Sequence, residues 1–224
     1  MISALAFVRH SSIWRQVAPT LEQFVRWVNT NVRSIAPAIA WRGHTERNPL
    51  IAEVGFRLAE GGFDAATILP FEVEERARQM ILQLPRGAAA AQRLHGFEWQ
   101  QAAELGKAIR NYTATLPVAQ FSPTVPGCGV VDTAIADILS EDNLIEVKAV
   151  KRPFRGSDFR QVLTYAAMYY ASGREIRDVA VYNPRLGDIV SMPLDSLAVG
   201  VSGHHRVELM QDIVSYMTGL QTSA

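Results

Sequence analysis

The sequence predicts an α/β protein whose first half is largely helical. Up to about residue 115, apolar residues recur at helical spacing, whereas from about residue 127 short apolar runs alternate with two longer helical segments. Between these halves, the segment 116–129 contains three prolines and two glycines and is typical of a linker. We therefore expect 1–115 to be a helical region that packs on and completes a core formed by 116–224.

Helical spacing and end signals define the individual elements. Asn48 followed by a proline is a good helix start, and Gly61 followed by a second glycine is a clear stop. In the first half, helices are predicted over 20–33, 48–60, 71–83 and 98–114. In the second half, strands are predicted over 129–139, 143–150, 177–183 and 188–193, and helices over 157–172 and 207–220. These strands and helices predict a central sheet flanked by helices.

The run "LIEVKAV" carries two charged residues within a predicted strand. Side chains alternate between the faces of a strand, so Glu146 and Lys148 point the same way. Ile145, Val147 and Ala149 point the other way, into a core. Charged groups in an apolar strand are costly unless they are paired or bound to a metal. The strand therefore carries either a salt bridge or a functional site.

A second carboxylate is predicted to approach this strand. The preceding run "TAIADILS" is strand-like and is followed by the turn formers "SEDN". The two runs predict a β-hairpin with Asp137 opposite or near Glu146. Asp132 is an alternative for this position, but its parity along a continuous strand would place it on the opposite face from Asp137. The short hairpin favours Asp137.

Two facing carboxylates and one ammonium suit the chemistry of a divalent cation. Close carboxylates raise each other's pKa unless a cation neutralises them. Mg²⁺ binds through one or two carboxylates, waters and substrate phosphate. The residues therefore predict a Mg²⁺ (or Mn²⁺) site formed by Asp137 and Glu146, with the backbone carbonyl of Val147 available to complete the shell. Lys148 would orient or activate the attacking water and offset charge on a phosphoryl group.

The helix that follows adds polar groups. Ser157 is a good N-cap and Gly173 a usual stop. Asp158, Gln161 and Tyr165 are spaced three and four apart and fall on a face other than the apolar one. We expect these side chains to cluster beside the charged strand.

This pattern resembles the PD-(D/E)xK nuclease superfamily, with Asp137 as the motif aspartate and "EVK" as the E-x-K. The "Q-x-x-x-Y" helix resembles the RecB-like branch, which includes CRISPR-adaptation exonucleases. The resemblance implies a restriction-endonuclease-like core with a mixed central sheet, and Mg²⁺-dependent hydrolysis of DNA. It also implies that Asp137 and Glu146 bind metal, that Lys148 serves the water or the transition state, and that Gln161 and Tyr165 support the site. A role in phage defence, recombination or repair follows from the resemblance alone.

The resemblance covers roughly residues 127 to 182, and two features depart from the family. Ala136 stands where the motif name has proline, and Cys128 is the only cysteine, so no iron–sulfur cluster is expected. Many members carry a further acid on an earlier helix, for which Glu53 is the candidate here. The other interpretation of Glu53 is a surface i,i+4 pair with Arg57, and we favour that pair.

The loop between the strand and the helix is rich in basic residues. The candidates for contact with a nucleic-acid backbone are Lys151, Arg152, Arg155 and Arg160. The other interpretation is an ordinary solvated loop. Because this cluster adjoins the proposed site, we favour contact with DNA.

Bulk properties set limits on these interpretations. The net charge is zero, so no global attraction to nucleic acid is expected and any binding surface must be local. The single cysteine excludes an internal disulfide, and no apolar stretch reaches membrane length, so a cytoplasmic protein is expected. Two functions stay open: a metal-dependent deoxyribonuclease, and a non-catalytic nuclease-fold subunit that binds DNA or a protein partner. A homodimer and a larger multi-subunit assembly are both open.

Overall fold

A mixed sheet between helices organises the protein in the computed structural model, which describes residues 1–62, 70–84 and 87–219. The helices are α1 Ala4–Val8, α2 Ser11–Val17, α3 Leu21–Thr30, α4 Asn48–Glu60, α5 Pro70–Leu82, α6 Gly96–Thr113, α7 Gly156–Ala171, α8 Leu194–Ser202 and α9 Arg206–Gly219. The strands are β1 Arg33–Ser34, β2 Gln120–Phe121, β3 Thr124–Val125, β4 Ala134–Ile135, β5 Ile138–Ser140, β6 Asn143–Val147, β7 Asp178–Asn183 and β8 Asp188–Pro193.

Among the described residues, six strands form the main sheet in the order β1-β8-β7-β6-β5-β2. Only the β6–β7 pair is parallel, and α7 connects these two strands; the other pairs are antiparallel. This α/β arrangement with a mixed central sheet agrees with the prediction. A separate ribbon pairs β3 with β4.

Helices from the first half of the chain cover both faces of the sheet. On one face, Phe56 and Ala59 of α4 and Ile109 of α6 form a core with sheet residues. The sheet residues of that core are Ile138, Ile145, Ala180, Tyr182 and Ile189. On the other face, α7 and α9 form a larger core with α1, α2, α3 and α8. The first-half helices therefore contribute to both cores that sandwich the sheet.

The predicted strand 129–139 is wrong as a single element. The chain bends at Asp137, so that β4 belongs to the ribbon and β5 to the main sheet. Backbone bonds on either side of the bend explain the break: Ala136 N donates to Pro123 O at 3.0 Å, and Ser122 N donates to Asp137 O at 2.9 Å. The segment 116–129, predicted as a linker, supplies β2 and β3.

Other boundaries differ at the ends of elements. The strand predicted over 143–150 ends at Val147, because Val150 N turns back to Lys148 O at 2.7 Å. The helices α1, α2 and α8 were not predicted. No described helix is long and apolar enough to cross a membrane.

Candidate active site

Glu146 of β6 and Lys148, which follows directly after β6, face α7. Leu144 belongs to the core beneath α7, whereas Ile145 belongs to the core beneath α4 and α6. By alternation, Glu146 and Lys148 lie on the α7 face, as predicted. Glu146 is 3% exposed, and its Oε1 lies 2.6 Å from Lys148 Nζ. The glutamate of this ion pair is therefore buried, whereas the lysine side chain keeps 19% of its surface exposed.

Asp137 reaches the same place from β5. The pairing of Ile138 with Ile145 puts Asp137 opposite Glu146 at the next position along the hairpin. Because the chain bends at Asp137, its side chain takes the role of a strand partner: Val147 N donates to Oδ2 at 2.7 Å. The bend therefore places the carboxylate of Asp137 beside that of Glu146.

Burial and the neighbouring carboxyl group of Asp137 both oppose the ionisation of Glu146. Burial raises the pKa of Glu146 to about 8, and the neighbouring charge of Asp137 adds to the rise, while Lys148 acts in the opposite direction. Burial lowers the pKa of Lys148, but Glu146 and Asp137 outweigh this and leave it raised. Lys148 therefore stays an ammonium at neutral pH, whereas Glu146 is mostly protonated there in the metal-free protein. Ionisation of both carboxyl groups requires a further positive charge beside them.

Helix α7 fixes the position of the lysine. Lys148 Nζ donates to Gln161 Oε1 at 2.8 Å, and Gln161 Nε2 donates to the Tyr165 hydroxyl at 3.1 Å. Tyr165 is buried, and burial together with the charge of Glu146 raises its pKa. The hydroxyl thus stays neutral and can accept from Gln161. The structure brings the predicted glutamine and tyrosine into one hydrogen-bonded chain with Lys148.

Asp158 does not join this chain, although its spacing placed it on the same helix face. Its carboxylate accepts two bonds from Arg152, at 2.7 and 2.9 Å, and one from Arg155 N at 2.9 Å. Asp158 therefore caps α7 and ties the preceding loop to it. The expected clustering of Asp158 with Gln161 and Tyr165 is wrong, because the backbone N–H at the start of the helix is the nearer partner.

The four basic candidates divide into two pairs. Arg152 is held by Asp158, and Arg160 lies 2.9 Å from Glu22 of α3. Lys151 and Arg155 are exposed, and their side chains have no hydrogen bond or ion pair within the described part of the chain. Lys151 and Arg155 are therefore the two candidates with charges available to a ligand.

Glu53, the candidate third acid, is engaged by Arg57. Their Oε1 and Nε atoms lie 2.8 Å apart, and Arg57 also bonds Glu60 at 2.7 Å and Ser122 at 3.2 Å. This is the i,i+4 pair that the sequence favoured. Because Ser122 N in turn donates to the Asp137 carbonyl, the Arg57 network adjoins the bend that positions Asp137.

Asp132 lies elsewhere. Its N–H donates to Ile2 O at 2.9 Å, beside the isolated bridge between Ile2 and Val131. The hairpin therefore brings Asp137, and not Asp132, to Glu146.

The donor set fits a hard cation held partly by its substrate. Across 1–62, 70–84 and 87–219, no group of three or more His, Cys, Asp or Glu side chains is placed to hold a metal ion. Asp137 and Glu146 offer two neighbouring carboxyl groups, which matches the one or two carboxylates that Mg²⁺ usually takes from a protein. The role of the Val147 carbonyl stays a prediction.

Two asparagines beside the site were missed by the sequence reasoning. Asn48 Nδ2 donates to Ala149 O at 3.0 Å, and Asn183 Nδ2 donates to Val150 O at 2.8 Å. Both hold the segment that leaves β6 just after Lys148. In the sequence, Asn48 indicated only the start of a helix and Asn183 only the end of a strand. Their positions at the ends of predicted elements were the feature that could have identified them.

A cavity of about 900 Å³ lies away from this site. It is bordered by α3, α6 and the edge of β8, with Trp27, Tyr112 and Asn143 among its lining residues. None of Asp137, Glu146 or Lys148 lines it. The candidate active site is therefore separate from this cavity.

No protein-family model matches the chain, and no curated protein is significantly similar to it.

Proposed function

We propose that the protein is a metal-dependent nuclease that hydrolyses DNA phosphodiester bonds. The observation that carries this proposal is the buried carboxylate of Glu146, which faces both Asp137 and Lys148. A structural salt bridge needs one acid and one base, whereas here the partly buried carboxyl group of Asp137 lies beside the buried Glu146 and opposes its ionisation. A divalent cation at this position would compensate the negative charge of both carboxyl groups.

Within this proposal, each side chain has a role that its contacts support. Asp137 and Glu146 hold Mg²⁺ (or Mn²⁺), which when bound polarises the phosphoryl group and lowers the pKa of an attacking water. Lys148 is an ammonium, so it suits the neutralisation of charge on the phosphoryl oxygens better than the removal of a proton. Gln161 holds the ammonium in place, and Tyr165 holds Gln161.

The exposed basic residues suit the approach of a nucleic-acid backbone. Lys151 and Arg155 lie in the loop that connects β6 and Lys148 to α7, and both are exposed. Backbone phosphates are contacted by such residues and carry no sequence information. We infer that they position the strand to be cut, and the choice of DNA rests on the family resemblance.

The test is cleavage of supercoiled plasmid and of single-stranded DNA with Mg²⁺, Mn²⁺ or EDTA. We expect metal-dependent nicking by the wild type and a loss of at least about 100-fold in Lys148→Met, which removes the ammonium but keeps the length. Lys107→Met is the matched control, because Lys107 is exposed on α6 and lines the separate cavity. Equal rates of DNA cleavage by Lys148→Met and Lys107→Met would contradict the proposal.

A second function is favoured by one specific observation. Glu53 is engaged by Arg57, and no third acid joins Asp137 and Glu146 within the described ranges. A nuclease fold with two acids suits a subunit that binds DNA or a protein partner without cutting. This alternative predicts wild-type binding of DNA without cleavage, and binding unchanged in Lys148→Met.

A further inference from the structure

A buried arginine just after β7 has no anionic partner among the described residues. Arg185 is 1% exposed, and its Nη1 donates to Gln101 Oε1 at 3.3 Å. Its Nε and Nη2 atoms are buried and have no hydrogen-bond partner within the described part of the chain, and the guanidinium carbon lies 4.7 Å from the centroid of the Trp41 ring. Within the described residues Arg185 has no salt bridge, since Glu104 acts on it only as a more distant charge.

An unpaired cation at this depth needs an explanation. Burial lowers the pKa of Arg185 to about 10, which still leaves it charged at neutral pH. Buried charges in proteins are ordinarily paired, and buried donors are ordinarily bonded. An apolar side chain of similar length would fill this space without the cost of the charge. The charge itself therefore points to a ligand.

The unpartnered atoms form one complete binding edge. Nε and Nη2 lie on the same side of a guanidinium and can donate together to an oxyanion. Arg47 of the same protein uses these two atoms to bind the Glu98 carboxylate, each at 2.9 Å. In Arg185 the same two atoms have no hydrogen-bond partner among the described residues.

The position of Arg185 relates it to the candidate active site. Lys148 N donates to Tyr182 O at 2.7 Å, so the ends of β6 and β7 lie side by side. The Asn183 side chain accepts from Arg185 N at 3.1 Å and donates to Val150 O at 2.8 Å. One amide therefore holds both the turn of Arg185 and the segment that follows Lys148. In open α/β sheets, ligands bind outside the carboxyl ends of parallel strands.

A segment without regular secondary structure covers the arginine. In residues 39–44, Ile39 N donates to Arg185 O at 2.9 Å, and Trp41 lies over the guanidinium. The backbone of Arg42 bonds the Gln101 side chain twice, at 3.4 and 2.7 Å. Each of these contacts joins residues 39–44 to Arg185 or to its partner Gln101. A ligand that binds Arg185 therefore competes directly with residues 39–44.

We propose that Arg185 binds a phosphate group of the nucleic acid, which enters by displacing Trp41. The assignment to nucleic acid rests on the proposed nuclease function. The bound phosphate belongs to a nucleotide beyond the one that is cut, because Arg185 lies past the strand end and Lys148 serves the reacting phosphoryl group. The phosphate would exchange the stacking contact with Trp41 for two charge-assisted hydrogen bonds to the buried Nε and Nη2 atoms.

The test measures binding in EDTA, so that no cleavage is involved. The probes are inorganic phosphate and a 5′-phosphorylated oligonucleotide, titrated into wild type, Arg185→Met, Trp41→Leu and the control Arg9→Met, which removes an exposed arginine. We expect at least tenfold weaker binding of both probes by Arg185→Met, without a lower melting temperature. Trp41→Leu should bind several-fold tighter because the cover no longer competes.

Each outcome decides the inference. Wild-type binding by Arg185→Met, or no binding of either probe by the wild type, would overturn it. Binding of inorganic phosphate without the oligonucleotide would overturn the assignment to nucleic acid. If Arg185→Met does not fold, weaker binding by Trp41→Leu contradicts the proposal and tighter binding supports it. If the wild type binds both probes through Arg185 but does not cut DNA, the nuclease function is contradicted and the phosphate site at Arg185 is not.

Discussion

At the scale of single residues, the proximity of Asp137 to Glu146 is expected to lower the stability of the folded state. Replacing Asp137 with asparagine keeps an oxygen that accepts from Val147 N. At a pH above about 8, where Glu146 is ionised as well, the replacement also removes one of two facing charges. In EDTA at such a pH we expect Asp137→Asn to raise the free energy of unfolding by about 1 kcal/mol, since one pKa unit corresponds to about 1.4 kcal/mol. Urea unfolding measures this change.

The control for that substitution is Asp137→Ala. It removes the charge and also leaves the Val147 N–H without its side-chain acceptor, which costs about 1–3 kcal/mol for a buried donor. We expect this variant to be less stable than Asp137→Asn. A stability of Asp137→Asn below that of the wild type would show that the two carboxylates do not oppose each other.

The raised pKa of Glu146 predicts how stability depends on pH in metal-free protein. Burial raises this pKa to about 8 from an ordinary value of 4.5. Between those values the folded state keeps a proton that the unfolded state has released, so stability falls as pH rises from about 5 to 8. Urea unfolding at several pH values in EDTA should show this fall in the wild type and a flatter curve in Glu146→Gln. The same slope in both proteins would contradict the assignment.

At the scale of elements, the side-chain amide of Gln161 joins α7 to Lys148, the residue that follows β6. Gln161 bonds Lys148 and Tyr165 and no other described residue by its side chain. We expect Gln161→Leu to lower the rate of DNA cleavage by about 10- to 100-fold, because a loosely held group loses its productive geometry. The KM for DNA should change little. Tyr165→Phe, which leaves Gln161 bonded to Lys148, should retain more activity; the reverse order would show that the tyrosine acts directly.

The hairpin between β5 and β6 contains a strained turn residue. Glu141 has φ of 53°, a region in which L residues other than glycine are disfavoured. We expect Glu141→Gly to raise the free energy of unfolding by about 0.5–1 kcal/mol. Glu141→Ala is the control, because alanine keeps the strain and should bring no gain. Thermal unfolding of the two variants distinguishes them.

At the scale of the whole molecule, a buried ion pair joins parts of the first half. Arg47 binds Glu98 of α6, and its guanidinium also donates to the carbonyls of Ala89, Gln92 and Arg93. Removing one partner of such a pair leaves an uncompensated buried charge. We expect Arg47→Ala to lower the free energy of unfolding by about 3–5 kcal/mol. A loss below 1 kcal/mol, measured by chemical denaturation, would show that the pair is not needed.

The sequence predicted the parts of this molecule that local periodicity controls. Alternation in "LIEVKAV" and spacing along α7 predicted the shared face of Glu146 and Lys148 and the approach of Gln161 and Tyr165. The short hairpin predicted that Asp137 would face Glu146. These features depend on residues close in sequence, where strand and helix geometry leave few choices.

Long-range contacts account for what was missed. The break in the strand at Asp137 depends on backbone hydrogen bonds to Ser122 and Pro123. The surroundings of the Arg185 guanidinium depend on Trp41 and Gln101, which lie in the first half of the chain. No local pattern marks such partners. The same limit explains why Asp158 was grouped with the site: its helical position was right, but its partner Arg152 lies in a loop without periodicity.

The proposed metal site is tested first by the initial rate of plasmid nicking in Mg²⁺ by wild type and Asp137→Asn at equal folded concentration. We expect metal-dependent nicking by the wild type and at least about 100-fold slower nicking by Asp137→Asn, although this variant is folded and no less stable. Equal rates in the two proteins, or nicking by the wild type that persists in EDTA, would contradict the proposed metal site.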